Sequence, residues 1–427
     1  MASPRAPKTT TEEHRPPSVD IAAAGRPVLL GAFPHQMAIL LPSSGDIVGR
    51  QWLAEAGLRD SKVSSNHLCF WHAHRRVEIE DVGSRNGTWV QGAPIAPGKR
   101  VPLDDGAVIR LGCSLLVYRA SFVDVPSPAP PVGRLVGPWG LGAVRARLAA
   151  LSRSQERNIL IEGASGTGKE LVAAAVIDAL GRRGKPTASV NVAAVPAGVF
   201  EGQLFGWVKG AYSGSAEGSE GIFRKNNDGS VFLDEIGELP LELQPKLLRL
   251  LENREVLPVG ATRTSRVDVV VIAATNRPLE EAVTCGVFRR DLLARFVERI
   301  QLPTLAERSE DVYAIFMELS KWRHTNIDPG AVEVEAVERM MLEQWPANVR
   351  DLDRVAAAVG ETGQLTLTLL QKVLGARRDI TELTREAAEQ MVRECNGNER
   401  EAERRFGITR GKLRRALGKA GGGERAR

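Results

Sequence analysis

The stretch Asn158-Ile-Leu-Ile-Glu-Gly-Ala-Ser-Gly-Thr-Gly-Lys-Glu170 decides the fold of the largest part of this chain. An apolar run of strand length comes first, and a helical pattern extends from Glu170 to Leu180. The spacing GxxxxGK lies between them, where glycines let the backbone wrap a phosphate chain and amides at the helix start face anionic oxygens. We therefore predict a strand, a phosphate-binding loop and a helix, with the Lys169 ammonium reaching β- and γ-phosphates. The loop residues expected to contact a nucleotide are Gly163, Ala164, Ser165, Gly166, Thr167, Gly168, Lys169 and Glu170.

A second apolar run, Ser230-Val-Phe-Leu-Asp-Glu-Ile236, ends in two acids. Next to a phosphate loop, Asp234 would hold the water shell of Mg²⁺, and Glu235 would orient or deprotonate the attacking water. A third run, Val267 to Ala273, leads to Asn276, whose side chain could bond the γ-phosphate or the water. An ordinary turn at Asn276 is an equal alternative. Apolar strands that alternate with helical stretches predict a parallel sheet covered by helices.

Length and composition favour a cytoplasmic protein with several domains. At 427 residues the chain is too long for one ordinary core and fits two to four domains. No apolar run approaches the ~18–20 residues of a membrane helix, and the polar start, Met1 to Pro17, lacks the apolar core of a signal peptide. We therefore expect a disordered tail and no membrane contact. The four cysteines are scattered without a CxxC pair, which disfavours a disulfide framework or a zinc site.

The chain divides at a proline-rich stretch, Val125 to Val132, whose prolines remove backbone donors and favour an extended linker. Before it, short alternating runs such as Arg76–Glu80 and Ala107–Leu111, separated by Gly and Asp clusters, predict a β-sandwich. From about Leu305 the pattern is helical only. The predicted segments are a disordered tail (1–25), a β-sandwich (26–122), a linker (123–133), an α/β domain (134–304), a helical lid (305–375) and a helix-turn-helix (381–420).

The C-terminal end is basic and helical. From Arg400 to Arg427, ten Lys or Arg stand against three Glu, which favours nucleic acid as a partner, with a solvated basic tail as the alternative. Helices from Glu399 to Phe406 and from Thr409 to Lys419, joined at Gly407, predict a helix-turn-helix. A basic helical hairpin without DNA is the other interpretation. The residues expected to cap the second helix and line DNA are Thr409, Arg410, Lys412, Arg414 and Arg415.

The central region resembles the AAA+ domain of sigma-54-dependent activators, also called bacterial enhancer-binding proteins. The matching motifs stand in collinear order: Gly163–Glu170, Asn191, Leu204–Gly206, Lys209–Ala211, Phe232–Pro240, Ala273–Asn276, Phe288–Leu292 and Trp345–Leu352. The C-terminal helix pair is similar to the Fis-type DNA-binding domain that ends these activators. The glutamate that follows the phosphate-loop lysine is usual in this family.

The resemblance implies a nucleotide site shared between neighbouring protomers. Asn191 would be a switch residue that restrains Glu235, and Arg350 would be the sensor arginine of the helical lid. Arg289 and Arg295 would be arginine fingers that reach a neighbour's nucleotide, where a guanidinium stabilises charge on the transferring phosphoryl group. Hydrolysis of ATP with Mg²⁺ would then require a homo-hexamer or heptamer, with a dimer as an inactive form. Without the family pattern, each arginine would be interpreted as part of a surface salt bridge.

One family motif departs from its usual sequence. The loop that contacts sigma-54 reads GAFTGA in the family and Gly210-Ala-Tyr-Ser-Gly-Ser215 here. Tyr212 keeps an aromatic ring, so the loop could insert its tip into the polymerase complex, or it could have acquired another target. Gln203 and Arg224 also stand where an acid is usual. The predicted sigma-54 contact residues are Gly210, Ala211, Tyr212, Ser213, Gly214 and Ser215.

The front region resembles a forkhead-associated (FHA) domain, a β-sandwich that recognises phosphothreonine. The motifs are Gly49-Arg50, Ser64–His67, Asp81–Thr88, Val90–Gly92, Leu103–Gly106 and Ile109–Gly112. A dianionic phosphate needs a fixed cation and several hydroxyl or amide donors on loops. His67 would brace these loops, with a direct contact as the alternative. The predicted phosphothreonine-binding residues are Arg50, Ser64, Ser65, Arg85 and Asn86.

Together the resemblances predict a multidomain protein with an FHA β-sandwich, an α/β AAA+ P-loop ATPase with a helical lid, and an all-α helix-turn-helix. It would hydrolyse ATP to remodel sigma-54 RNA polymerase while anchored at upstream promoter DNA. Its signal would be a phosphothreonine protein or peptide from a Ser/Thr kinase pathway. Two alternatives stay open: a DNA-bound AAA+ regulator that no longer contacts sigma-54, and a phosphopeptide-binding scaffold with an inactive ATPase.

Overall fold

The computed structural model describes residues 25–73, 76–123, 127–195, 197–211, 217–325 and 327–375, with residues 389, 392–393 and 417. The chain divides into two compact units, residues 1–365 and residues 366–427. None of the helices in the described part is long and apolar enough to span a membrane. The predicted helix-turn-helix stays a prediction, because its DNA-binding candidates Thr409, Arg410, Lys412, Arg414 and Arg415 lie outside the described residues.

Two antiparallel sheets form the β-sandwich that the alternating runs predict. The strands are β1 (Arg26–Phe33), β2 (Met37–Leu40), β3 (Ile47–Val48), β4 (Leu68–Ala73), β5 (Arg76–Asp81), β6 (Thr88–Val90), β7 (Ala93–Pro94), β8 (Arg100–Leu103), β9 (Val108–Leu111) and β10 (Ser114–Phe122), with a short helix α1 (Arg50–Glu55). One sheet has the order β2-β1-β10-β9-β6-β7 and the other β3-β4-β5-β8. Buried Val77 and Ile79 alternate with more exposed neighbours along β5, so one face packs into the core.

A parallel sheet forms the centre of the α/β domain that follows the sandwich. Its strands, with one small hairpin, are β11 (Asn158–Glu162), β12 (Thr187–Asn191), β13 (Gly229–Asp234), β14 (Glu255–Val256), β15 (Ser265–Arg266), β16 (Val269–Thr275) and β17 (Glu298–Gln301). The parallel sheet has the order β12-β13-β16-β11-β17, and β14 pairs only with β15. Because the strands are parallel, their carboxyl ends meet at one edge, where ligands bind in such sheets.

Helices cover this sheet and build the lid. They are α2 (Gly142–Leu151), α3 (Lys169–Ala179), α4 (Ala197–Phe205), α5 (Gly221–Lys225), α6 (Gln244–Asn253), α7 (Leu279–Thr284), α8 (Arg290–Leu293), α9 (Val312–Trp322), α10 (Val334–Met341), α11 (Val349–Thr362) and, in the second unit, α12 (Leu367–Leu374). Between β17 and α9 lies the 3-10 segment Ala306–Asp311. The described chain between 305 and 365 is helical with connecting turns, as the pattern predicts, and α3 begins one residue before its predicted start.

The described end of the proline-rich stretch folds back on the chain. The backbone N–H of Ala129 donates to the carbonyl of Pro138 at 3.0 Å, and Val132 pairs with Leu135 in an isolated bridge. These bonds place the residues before α2 beside the phosphate loop, because Leu135 packs in the same apolar cluster as Val172 of α3.

Candidate functional site

A cavity of about 400 Å³ lies at the carboxyl edge of the parallel sheet. It is lined by Ser165, Gly166, Gly168, Lys169, Glu170, Leu171, Asn191, Asp234, Glu235, Leu319, Val349, Arg350 and Asp353. Nine of these are predicted nucleotide-site residues, from four separate segments of the chain. The tertiary structure therefore brings the phosphate loop, the two acids, Asn191 and the lid arginine to one place.

The phosphate loop has the conformation that its glycines permit. Gly166 has φ +75°, and a side chain there would place its Cβ 2.1 Å from the carbonyl oxygen of Ala347. The Lys169 ammonium, which is buried, donates to the carbonyl of Gly163 at 3.1 Å. The Thr167 hydroxyl donates to the carbonyl of Ala164 at 2.8 Å. Gly163, Ala164 and Thr167 thus shape the loop from outside the cavity lining.

The acids after β13 lie beside this loop. Glu235 Oε1 is 3.9 Å from the Lys169 Nζ, and Glu235 Oε2 accepts from the backbone N–H of Asn276 at 3.2 Å. Asp234 Oδ1 accepts from the backbone N–H of Glu235 at 3.1 Å. Asn276 therefore acts here through its backbone, which places the Glu235 carboxylate.

Asn191 lines the cavity, and its side chain makes a local hydrogen bond there. Its side-chain oxygen accepts from the backbone N–H of Ala193 at 2.9 Å and so caps the 3-10 turn that follows β12. No hydrogen bond joins it to Glu235 among the described residues. A short polar side chain at such a turn bonds its own backbone readily, and the role of Asn191 as a switch that restrains Glu235 stays a prediction.

The lid contacts the phosphate loop directly through the start of α11. Arg350 Nη1 donates to the Ser165 hydroxyl at 3.1 Å, and the backbone N–H of Val349 donates to the carbonyl of Gly166 at 3.0 Å. Asn348, which the sequence did not single out, donates from Nδ2 to the carbonyl of Ser165 at 2.9 Å. Its position inside the Trp345–Leu352 motif was the available signal.

The two predicted arginine fingers lie outside this cavity. Arg289 forms a two-point ion pair with Asp291, with Nη2 2.7 Å from Oδ2, and Arg295 Nη2 lies 2.6 Å from Glu252 Oε1. Both arginine side chains are exposed, at 42% and 49%. Within a single chain they form surface ion pairs, and neither reaches its own phosphate loop.

Carboxylates and a phosphate loop at one cavity fit a magnesium ion. Mg²⁺ in proteins is held by one or two carboxylates together with phosphate oxygens and water, and Asp234 with Glu235 offers such a set. Across the described part of the chain, no group of three or more His, Cys, Asp or Glu side chains could hold a metal by itself. A cation at this site would therefore be held together with phosphates.

A second pocket, of about 320 Å³, lies at the loop end of the β-sandwich. It is lined by Arg50, Ser61, Lys62, Val63, Ser64, Ser65, Arg85 and Asn86. All five predicted phosphothreonine residues are present. Lys62 adds a further basic side chain that the sequence reasoning missed; its place two residues before the Ser64–His67 motif was the available signal.

Local bonds hold this pocket in shape. Arg50 Nε donates to the carbonyl of Val63 at 2.9 Å, and Asn86 Nδ2 donates to the carbonyl of Lys62 at 2.6 Å. The Ser64 hydroxyl accepts from the backbone N–H of Arg85 at 3.0 Å. Gly49 is required because a Cβ there would lie 1.6 Å from the carbonyl oxygen of Ser65.

His67 braces the pocket from behind. Its buried ring accepts from the backbone N–H of Ser64 at Nδ1, 3.0 Å away, and Nε2 lies 3.2 Å from the carbonyl of Gly87, to which it donates as the matching tautomer. Burial lowers the pKa of His67 below its ordinary value, which keeps the ring neutral. His67 does not line the pocket and so occupies the structural position expected for it.

Asp81 organises the loop that carries Arg85 and Asn86. Its carboxylate accepts from the N–H groups of Gly83 and Ser84 and from the Ser84 and Thr88 hydroxyls, at 2.7 to 2.9 Å. Burial alone would raise the pKa of Asp81, but these hydrogen bonds lower it below its ordinary value.

The loop predicted to contact sigma-54 lies largely outside the described residues. Gly210 and Ala211 are described, whereas Tyr212, Ser213, Gly214 and Ser215 are not, so their role stays a prediction. The loop's base is closed by pairing of Trp207 with Ser219, and the Trp207 indole donates to the carbonyl of Glu217 at 3.0 Å.

The fold and the first cavity define the class of protein: a P-loop α/β domain with a helical lid, joined to a β-sandwich with a basic pocket. Comparisons with known proteins specify both parts. Residues 141–302 match the model of the sigma-54 interaction domain, and residues 47–112 match that of the FHA domain. The chain thus contains a domain of the sigma-54 interaction type, preceded by a domain of the FHA type.

Individual relatives agree with this assignment. The putative uric acid sigma-54-dependent transcriptional regulator UacR of Escherichia coli (strain K12) is 39% identical over 269 residues, which cover 60% of this chain and 45% of UacR. The DNA-binding transcriptional regulator NtrC of Rhizobium meliloti (strain 1021) is 38% identical over 228 residues, 53% of this chain and 46% of NtrC. The chain thus spans less than half the length of these two curated relatives.

A solved structure shares the fold over most of the chain. The crystal structure of NtrX from Brucella abortus aligns with a TM-score of 0.51 at 28% identity, over 67% of this chain and 68% of that chain. NtrX in complex with ATP aligns with a TM-score of 0.50, also at 28% identity, over 67% of this chain and 69% of that chain.

Proposed function

We propose that this chain is an ATP-hydrolysing, sigma-54-dependent transcriptional activator controlled through phosphothreonine recognition. The observation that carries the proposal is the meeting of the phosphate loop, Asp234, Glu235 and Arg350 in one cavity. The match to the sigma-54 interaction domain supports the target, and the likeness to NtrX, which was crystallised with ATP, supports the nucleotide.

Each residue of the cavity has a distinct task in hydrolysis. Lys169 and the loop amides bind the phosphates, and Glu235 orients a water molecule and accepts its proton. Asp234 would hold Mg²⁺, which would neutralise charge at the phosphate oxygens. Arg350, which bonds the loop at Ser165, connects the nucleotide to the lid.

The position of the fingers supports hydrolysis by a ring rather than by a single chain. Arg289 and Arg295 lie outside their own cavity, so either of them would reach a γ-phosphate only on a neighbouring chain. A homo-hexamer or heptamer supplies such neighbours with closed symmetry, and a dimer is the proposed inactive form. Each protomer would release Arg289 from Asp291 and Arg295 from Glu252 when it meets the adjacent nucleotide.

The basic pocket of the sandwich supports a phosphothreonine ligand. Arg50 and Lys62 supply charge, while Ser64, Ser65 and Asn86 supply hydroxyl and amide donors, which is the set that a dianionic phosphate needs. The ligand would be a protein or peptide phosphorylated in a Ser/Thr kinase pathway. The activator would act in the cytoplasm, anchored at upstream promoter DNA by its basic C-terminal helices.

Open-complex formation in vitro tests the whole proposal. The purified chain, sigma-54 RNA polymerase, ATP and a supercoiled sigma-54 promoter template are combined, and promoter melting is detected by permanganate footprinting. We expect melting that requires ATP hydrolysis and is lost with a non-hydrolysable analogue. Hydrolysis of ATP without melting on any sigma-54 template would instead support a regulator with another target.

The altered loop is tested separately. A photo-crosslinker at Tyr212 should join the chain to sigma-54 when a transition-state analogue such as ADP–aluminium fluoride holds the ring. The same crosslinker at Val199, an exposed residue of α4, is the control position and should give no adduct. A competent ring that crosslinks nothing through Tyr212 would contradict the sigma-54 contact.

A further inference from the structure

The FHA sandwich is packed against the nucleotide-binding domain through an apolar contact. Trp139, in the segment before α2, is buried with Val28, Leu30 and Phe122 of the sandwich. Its indole Nε1 donates to Gln36 Oε1 at 2.6 Å. The sandwich is therefore fixed to the residues that lead into the nucleotide-binding domain.

A buried ion pair joins the sandwich to the lid beside this apolar contact. Arg119 of β10 donates from Nη2 to both carboxylate oxygens of Glu310, at 2.8 and 2.7 Å, and to the carbonyl of Glu307 at 2.7 Å. The Glu310 side chain is 2% exposed, and that of Arg119 is 17% exposed. A two-point pair with so little solvent fixes the positions of both partners.

The residues next to Glu310 reach the phosphate loop. Arg308, which is buried, donates from Nη2 to the carbonyl of Thr167 at 3.3 Å. Asp311 accepts from the backbone N–H groups of Trp139 and Gly140, at 2.9 and 3.0 Å. One short segment, residues 308–311, thus holds the phosphate loop, the segment before α2 and the sandwich at once.

The same segment borders a second, smaller cavity that adjoins the phosphate cavity. Arg308 lines it together with Leu135, Leu319 and Trp322, and Gly168 and Leu171 line both cavities. Nε and Nη1 of Arg308 are buried without a hydrogen-bond partner among the described residues. The negative charges of Asp311 and Glu310 act on this guanidinium, and the Glu310 carboxylate is held by Arg119.

We propose that Arg119 of the FHA domain is a positioning residue for the nucleotide site, acting through Glu310. By holding the Glu310 carboxylate, Arg119 leaves Arg308 to bond the phosphate loop and keeps the lid in place beside it. Without Arg119, the buried Glu310 carboxylate loses its ion pair; it then turns to Arg308, two residues earlier in the same segment, and draws that guanidinium away from Thr167. The proposal rests on the proposed nucleotide binding and makes the FHA domain a structural part of that site.

The phosphothreonine pocket stays open in this arrangement. Ser65, Arg85 and Asn86 are exposed, while Arg119 lies on the strand that faces the lid. A phosphopeptide can therefore bind while the sandwich remains docked, and the docking contact serves nucleotide binding rather than shielding of the pocket.

Nucleotide affinity of the full chain tests the proposal, with fluorescent mant-ADP as the probe. We expect Arg119→Met to raise the dissociation constant about fivefold or more, the lower end of ordinary coupling between sites, and to raise KM for ATP more than it lowers kcat. Arg119→Lys keeps the charge but loses the two-point geometry, so it should fall between wild type and Arg119→Met.

Arg100→Met is the matched control. Arg100 pairs with Glu80 at 3.3 Å and stacks over Trp71 at 3.5 Å, both within the sandwich and away from the lid. It should leave mant-ADP affinity unchanged. Should Arg119→Met fail to fold by circular dichroism, Arg119→Lys carries the test, with faster amide exchange expected over residues 305–311.

The possible outcomes distinguish failure of the positioning role of Arg119 from failure of the proposed nucleotide binding. A folded Arg119 variant that binds mant-ADP as tightly as wild type overturns the positioning role. Equal loss in Arg100→Met also overturns it, because the effect would then be general destabilisation of the sandwich. A wild-type chain that binds no mant-ADP would instead overturn the proposed function itself, and the positioning role with it.

Discussion

Glu235 is held in a backbone conformation that a non-glycine residue seldom adopts. Its φ of +54° and ψ of +49° place it in the left-handed region, directly after the end of β13. Such strain persists only where the surrounding structure enforces it, and it is concentrated at functional sites. Here the conformation aims the carboxylate into the cavity between Lys169 and the backbone N–H of Asn276.

Replacing this carboxylate should uncouple binding from hydrolysis. We expect Glu235→Gln to lower kcat for ATP by about 10²-fold or more, as loss of a general base does, while mant-ADP affinity is retained. Glu238→Gln is the control, because Glu238 pairs with Arg277 outside the cavity lining. Phosphate release is the measurement, and a wild-type rate in Glu235→Gln would remove Glu235 from the catalytic role.

His67 predicts a pH dependence of the sandwich. Its folded pKa lies below its unfolded pKa, so its contribution to stability is complete above about pH 6.5 and is lost as pH falls below that value. The thermal midpoint of wild type should therefore fall more between about pH 6.5 and pH 5 than that of His67→Asn, which cannot titrate there. His72→Asn, at an exposed ring, should keep the wild-type slope, and equal slopes in all three chains would contradict the prediction.

At the scale of elements, short segments next to the buried strands fix the backbone of Glu235 and Arg289. A 3-10 turn follows Glu235 at the end of β13, and the four-residue helix α8 ends a few residues before β17. α8 begins directly after Arg289, whose backbone N–H donates to Gln244 Oε1 of α6 at 2.8 Å. This bond fixes the backbone of Arg289 and leaves its guanidinium on the surface.

Mixing two inactive variants tests whether α8 serves a neighbour. Lys169→Ala should not bind the phosphates, and Arg289→Ala should lack the finger, so each alone is expected to be inactive. In an equal mixture that forms rings at random, about a quarter of the sites combine an intact lysine with a neighbour's intact arginine, so about a quarter of the activity should return. Arg290→Ala should hydrolyse ATP by itself. No recovery from a mixture that forms rings would argue against sharing of the site.

At the scale of the whole molecule, the sandwich and the nucleotide-binding domain belong to one compact unit. The contacts that join them include Trp139 with Gln36, Phe33 with Tyr313, Arg119 with Glu310, and Arg110 with Glu338. The sandwich is thus docked on the P-loop domain and its lid rather than held by a flexible linker alone.

Removing the apolar centre of this contact should separate the two parts. Trp139→Ala deletes a buried indole, a change that costs about 3–5 kcal/mol in well-packed cores. We expect calorimetry to show one unfolding transition for residues of the compact unit in wild type and two in Trp139→Ala. Trp71→Ala, inside the sandwich, should lower the midpoint without splitting it, and a single transition in Trp139→Ala would show that other contacts suffice for cooperativity.

Much of both sites could be predicted because each segment that builds them is short and has a local conformation. The strand, loop and helix around Gly163–Lys169 follow from apolar periodicity and glycine spacing, and the phosphothreonine pocket is built from two short loops and Arg50 at the start of α1. Lys62, which was missed, lacks such a signal because it looks like any surface lysine. The local cap that the Asn191 side chain forms is likewise indicated by no sequence pattern.

The sequence by itself determined the phosphate loop, the acids that follow β13 and the β-sandwich and parallel α/β classes of the two described domains, because these depend on backbone preferences within a few residues. Only the tertiary structure decided that Arg119 and Glu310, 191 residues apart, share one buried ion pair and that the FHA sandwich rests on the lid. Such pairs depend on how the surfaces of already folded elements match in shape and charge. No sequence pattern around Arg119 or Glu310 predicts which residue will be its partner.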